Sequence, residues 1–146
     1  MNIKDYGWND FFQNEWNSKN VTGMFPGRII ADFGQQLKVV TDMGEYMVNR
    51  PIYKGDDSTQ LAVGDWVALE SIQEADTFIR FVLTRRTKFS RAAAGKEVKE
   101  QIVAANADTV FLIQSLNKDF NMKRLERYLI AAWDSGAVPV VILTKA

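Results

Sequence analysis

An all-β barrel followed by a partial α/β segment is the architecture this sequence predicts, and three observations carry it. Between residues 23 and 84, five short runs of β-forming residues alternate with turn residues. After residue 100, two unbroken apolar runs flank a stretch of helical periodicity. Of the 146 residues, 47% are apolar, enough for a real core in one ordinary domain or two small ones.

The elements follow in chain order. Trp8, Phe11, Phe12 and Trp16 recur at offsets of 3, 4 and 8, the spacing that stacks side chains on one helix face. The charges beside them, Lys4, Asp5, Asp10 and Glu15, are few and slightly acidic, unlike a membrane-surface helix. Packing of residues 1–20 against the next domain is therefore expected. Strands are expected at Gly27–Ala31, Gln36–Thr41, Glu45–Val48, Trp66–Glu70 and Phe78–Leu83. Alternation supports them, with Leu37, Val39 and Thr41 opposite Lys38 and Val40, and with Ile79, Phe81 and Leu83 opposite Arg80. Turn residues separate them at Asp32-Phe33-Gly34, Asp42-Met43-Gly44 and Val63-Gly64-Asp65. The polar stretch Asn49–Gln60 reads as a mobile loop. Five short strands with one long connection leave no room for two full sheets, so residues 21–85 are expected to close into an OB-fold barrel.

Residues 86–105 read as a basic linker. From residue 106 the pattern becomes strand, helix, strand. Asp108–Gln114 and Val138–Leu143 are buried-strand runs, and Met122, Leu125, Tyr128, Leu129, Ala132 and Trp133 follow helical spacing between Asn121, a candidate N-cap, and Gly136, a candidate stop. Apolar strands joined by an amphipathic helix make a parallel crossover, whose strands need cover on both faces. One crossover cannot supply it, so residues 106–146 read as the start of an α/β domain that continues past Ala146.

Composition excludes several chemistries. With no cysteine and no histidine, the chain offers no disulfide framework, no Cys/His zinc site and no histidine-served nucleophile. It has neither an apolar run long enough to span a membrane nor the start of a signal peptide, and reads as cytoplasmic. Formal net charge is zero, but residues 1–79 carry −6, residues 80–99 carry +6 and the remainder is neutral. Arg80, Arg85, Arg86, Lys88 and Arg91 within that basic block are candidate RNA contacts. A solvated connecting segment is the alternative. Candidate stacking platforms are Phe25, Phe33, Tyr46, Trp66 and Phe78, some of which must be core.

Two apparent sites do not assemble. Gly95-Lys96 suggests a phosphate loop, but Ser90 stands where the first glycine belongs and Glu97 where Ser or Thr belongs. The carboxylates Asp56-Asp57, and Asp108 with Asp119, read as solvated. The final strand is more informative, because it ends in Thr144-Lys145-Ala146. In nucleotide-binding α/β domains the carboxyl end of a strand faces the ligand crevice. A lysine there can lay its stem along a purine. An aspartate one position further on would accept the paired N–H donors of guanine.

Several strings together closely resemble the ribosome small-subunit-dependent GTPase A (RsgA) family. They are Arg85 to Gly95 (Arg-Arg-Thr-Lys-Phe-Ser-Arg-Ala-Ala-Ala-Gly), Glu100 to Phe111, Ser115 to Asn121 and Arg124 to Leu129, with Val63-Gly64-Asp65-Trp66-Val67 resembling that family's barrel signature. The resemblance covers about residues 22–146. It implies an OB-fold followed by a circularly permuted P-loop GTPase domain, in which the guanine motif precedes the phosphate loop. That motif then falls on Thr144, Lys145 and Ala146, with its aspartate next in line. The resemblance further implies a parent GTP phosphohydrolase that uses GTP and magnesium, carries a C-terminal zinc region, binds the small ribosomal subunit and its rRNA, and is a monomer when full length. This N-terminal fragment alone is expected to be inactive, with no catalytic residue and no bound cofactor. A freestanding OB-fold RNA-binding module without nucleotide chemistry is the alternative.

Overall fold

The computed structural model describes residues 2–51, 60–72, 76–92, 100–116 and 121–144. The chain divides into two compact units, Met1–Arg85 and Arg86–Ala146.

In the first unit a 3-10 turn, Ile3–Tyr6, precedes helix α1, Asp10–Ser18. Asn9 caps α1, its side chain accepting from the Phe11 amide at 3.0 Å, which satisfies one of the unpaired donors at a helix start. Five strands follow: β1 Phe25–Asp32, β2 Gln36–Thr41, β3 Gly44–Asn49, β4 Trp66–Ile72 and β5 Asp76–Val82. All pair antiparallel in the order β3-β2-β1-β4-β5, and the edge strands β3 and β5 come together across a seam. Most of the Asn49–Gln60 loop lies outside the described residues.

Two apolar layers hold this unit. Ile29, Leu37, Val39, Val48, Leu61, Val67, Leu69 and Ile79 fill the barrel interior. Gly27 is required there, because a Cβ would meet Val39 Cγ1 at 2.5 Å and Leu69 Cδ1 at 2.9 Å. On the outside, Ile3, Trp8, Phe12, Trp66 and Leu83 form a second cluster. Trp8 stands edge-on to Trp66 at 4.9 Å between centroids, and Trp16 tilts over Phe81 at 6.2 Å. The N-terminal segment thus covers the barrel wall, which explains why Trp66, Val67, Ala68 and Leu69 are all buried although strand neighbours point to opposite faces.

Two expectations of simple periodicity fail here. Trp8 precedes the helix, and Phe11 points away at 44% exposure, since neighbours on a helix lie about 100° apart. In β5 the register against β4 shifts between Ala68↔Phe81 and Leu69↔Ile79. Ile79 therefore joins the interior while Phe81 and Leu83 join the outer cluster. An extra residue in one strand, here Arg80, swaps faces beyond it.

The second unit holds β6 Lys88–Ala92, β7 Glu100–Ala105, β8 Thr109–Ser115, α2 Met122–Ser135 and β9 Val138–Thr144. The segment expected to be a basic linker carries an antiparallel pair, β6 with β7. An extra residue on β7, Val103, opposite the step from Phe89 to Ser90 breaks the alternation and hides that pair from a periodicity reading. β8 and β9 pair in parallel from Thr109↔Val138 to Ser115↔Thr144, and α2 packs on β6, β8 and β9. Asn121 caps α2 by accepting from the Arg124 amide at 3.0 Å. Gly136 ends it at φ +89°, a conformation open to glycine at little cost. On β8, Leu112 and Gln114 are buried, whereas Phe111 and Ile113 are 62% and 70% exposed. One face of β8 is thus covered and the other bare among the described residues, while Val140, Val141, Ile142 and Leu143 leave both faces of β9 open.

Candidate functional site

Three arginines of the basic block, Arg80, Arg85 and Arg86, pair with carboxylates. Arg85 belongs to the barrel: its Nε and Nη2 donate to the two carboxylate oxygens of Asp65, each at 2.7 Å. It also donates to the Gln60 carbonyl. Asp65 is wholly buried and accepts from the Ala62 amide at 2.9 Å as well. Both partners sit where the chain enters β4 and leaves β5, so the pair clamps the two ends of the barrel together. Arg80 donates to Glu70 at 2.8 Å and its guanidinium lies 5.5 Å over the Phe78 ring.

In the second unit, Arg86 donates to Asp108 at 3.0 Å in an exposed pair. Water and salt weaken such a pair to about 1 kcal/mol or less, so a phosphate can displace it. Lys88 is exposed on β6. Arg91 lies on the same strand, and its side chain is outside the described portion. Gly95, Lys96, Glu97, Asp56, Asp57 and Asp119 also lie outside the described residues. Among the described residues, no group of three or more acidic, Cys or His side chains could hold a metal ion. No described helix is long and apolar enough to cross a membrane.

The aromatic candidates separate by depth. Trp66 is fully buried, its indole N–H without a partner among the described residues. Phe25 and Tyr46 pack partly buried against the interior cluster. Only Phe33 and Phe78 of the five are open, at 64% and 40% exposure. Phe33 sits on a braced β1–β2 turn. Asp32 accepts from the Gly34 amide at 2.8 Å and from Arg50 at 2.5 Å, while Arg50 also donates to the Gly34 carbonyl at 2.7 Å. The Arg50 hydrogen bond, then that from Gly34, holds the Asp32 carboxyl below its ordinary acidity range despite partial burial. Arg50 carried no signal in the sequence, because its partners lie 16 and 18 residues away.

Thr144 ends β9 at the carboxyl edge of the parallel pair, beside Ser115, and its carbonyl accepts from the Leu116 amide at 2.7 Å. Lys145 and Ala146 lie outside the described residues. Thr144 therefore stands at the strand end where α/β folds place ligand crevices.

Residues 82–146 match the family described as RsgA GTPase. The whole chain is 40% identical to Small ribosomal subunit biogenesis GTPase RsgA 2 of Listeria monocytogenes, over 100% of this chain and 40% of that protein. It is 35% identical to Small ribosomal subunit biogenesis GTPase RsgA of Streptomyces coelicolor, over 99% of this chain and 39% of that one. The chain thus spans about two-fifths of the length of these curated relatives. Among solved structures it is similar to YloQ, titled a circularly permuted GTPase, with a TM-score of 0.58, 20% identity and coverage of 84% of this chain and 41% of that one. YjeQ from Thermotoga maritima gives a TM-score of 0.59 at 17% identity, covering 84% and 41%. These structural likenesses establish the fold, an OB-type barrel followed by a partial P-loop GTPase segment.

Proposed function

Because the chain belongs to the RsgA GTPase family, we propose that it forms the OB-fold and the first strand–helix–strand of a GTPase that acts in biogenesis of the small ribosomal subunit. The observation that carries this reading is the parallel β8–α2–β9 crossover ending in Thr144, the position a guanine-specificity motif occupies in such folds. Residues 1–20 are an accessory to the barrel at 21–85, residues 86–105 connect it, and residues 106–146 begin the permuted GTPase domain. Thr144, Lys145 and Ala146 form one rim of the guanine pocket, and an aspartate in the next position would complete it. Lys145 would cover the purine with its methylene stem.

GTP and magnesium are the ligands of the whole protein. Phosphoryl transfer depends on a phosphate cradle and a positioned metal, and neither Gly95-Lys96 nor any other sequence in these 146 residues has the spacing for a cradle. Zinc in the whole protein would need ligands outside this chain, which has neither Cys nor His. Ribosome-stimulated hydrolysis in the cytoplasm, by a protein that is monomeric at full length, completes the reading. Titration of this chain with a fluorescent GTP analogue should show no saturable binding, whereas a longer chain that includes a phosphate loop should bind. Micromolar affinity of the 146-residue chain would overturn the assignment of the missing walls.

RNA is the proposed partner surface's ligand. Arg80 on the first unit, and Arg86, Lys88 and Arg91 on the second, supply cations for phosphates of rRNA. Arg85, held by Asp65, serves the barrel instead. An exposed pair such as Arg86–Asp108 exchanges its carboxylate for phosphate at little net cost, with the salt dependence that accompanies counterion release.

A further inference from the structure

The chain passes from β5 to β6 through residues 83–87, which belong to neither strand. Such a stretch ordinarily behaves as slack, yet every residue in it is tied down. On the first-unit side, the Leu83 amide donates to the Trp66 carbonyl at 2.8 Å, and the Leu83 side chain is buried. The Thr84 amide donates to both carboxylate oxygens of Glu15, at 2.9 and 2.8 Å, although 69 residues separate them in the chain. Arg85 is held by Asp65 and by the Gln60 carbonyl. On the second-unit side, the Arg86 amide donates to the side-chain carbonyl of Asn106 at 2.7 Å, and the Asn106 amide donates back to the Thr87 carbonyl at 2.8 Å. The Thr87 hydroxyl donates to the Ala107 carbonyl at 2.8 Å. Asn106 makes both contacts from a left-handed backbone, φ +58°, which asparagine tolerates better than most residues. Each tie closes within its own unit.

We infer that the two units are joined by a one-peptide pivot between Arg85 and Arg86, and that Glu15 and Asn106 are the latches that keep its free segment from lengthening. A planar peptide leaves two soft dihedrals there, ψ of Arg85 and φ of Arg86. Hinges commonly consist of a few residues at element ends that absorb such changes. Freeing Thr84 on one side or Arg86 on the other would add dihedrals to the segment. Each release gives up hydrogen bonding, charge-assisted in the case of Glu15. Helix α1 therefore has a second task besides covering the barrel wall: its Glu15 fixes where the first unit stops. A displacement of the barrel then reaches the second unit as rotation about one point instead of being absorbed by slack. Nothing in this pivot depends on which ligand either unit binds.

The test is NMR of the full 146-residue chain, by amide hydrogen exchange and by residual dipolar couplings in a dilute aligning medium. The Thr84 and Arg86 amides should both exchange slowly. Glu15→Ala should speed exchange at Thr84 by about tenfold or more. Asn106→Gly, which keeps the left-handed backbone accessible and removes the acceptor, should speed Arg86 by about threefold or more. Glu15→Gln and Asn106→Asp retain an acceptor and should keep most of the protection. Couplings within each unit should fit one alignment tensor, of unequal magnitude in the two units. That inequality should grow in Glu15→Ala and Asn106→Gly, toward the value for a chain with two glycines inserted between Arg85 and Arg86. Equal magnitudes and a common tensor overturn the pivot in favour of one rigid body. Couplings of the unaltered chain that already match the glycine insertion overturn it in favour of a slack linker, as does unprotected exchange at Thr84 and Arg86. Faster exchange throughout the barrel strands in Glu15→Ala assigns Glu15 to barrel stability and overturns its role as a latch.

Discussion

Replacing Arg85 with the unbranched, uncharged methionine removes the guanidinium and leaves the Asp65 carboxylate fully buried, with the Ala62 amide still donating to it. Stripping one partner from a buried pair costs about 3–5 kcal/mol, because the stranded charge keeps its desolvation penalty. The Arg85 side chain is 18% exposed, so water can partly reach the vacated site and the lower end applies. For a unit of residues 1–85, each kcal/mol lowers Tm by about 4–8 °C. Arg85→Met should therefore lower Tm by about 12 °C or more. The assay is thermal unfolding followed by tryptophan fluorescence in a Trp133→Phe background, so that Trp8, Trp16 and Trp66 all report on the first unit. Adding Asp65→Asn neutralises the stranded charge while keeping an acceptor for Ala62, and should restore about half of the loss. A shift below about 2 °C for Arg85→Met, or a double variant no more stable than the single one, would refute the clamp.

Two further outcomes follow from the barrel's geometry. Gly27→Ala puts a methyl into contacts of 2.5 and 2.9 Å with Val39 and Leu69 and should destabilise by about 1–3 kcal/mol, read as a lower denaturant midpoint at unchanged m-value. Asp32, whose folded pKa lies below its ordinary 3.8, contributes stability that is fully present above that value and is lost as pH falls through the lowered folded pKa. Asp32→Asn should therefore be less stable than the unaltered chain at neutral pH and lose less between pH 4 and pH 2; parallel acid-unfolding curves would contradict the ion-pair origin.

Local rules account for what could be read in advance. The strands, the Asn121 cap and the Gly136 stop depend on residues within one turn or a few positions of each other, and such signals survive in a linear string. The strand that ends at Thr144 was likewise legible, from its apolar run. The β5 face switch was not, because an inserted residue leaves the hydrophobic count intact while changing which side it serves. The fate of the cations was also hidden. Asp65 and Arg85 are 20 residues apart, and a run of positive residues looks the same whether each faces water or a buried carboxylate.

Sequence alone determined the order of architectures and the family to which they belong, since periodicity, turn chemistry and shared motifs are properties of neighbours along the chain. Tertiary structure decided which arginine holds the barrel and which aromatics remain open. Those outcomes depend on which distant surfaces exclude water together, and burial is settled only when strands remote in sequence close on one another.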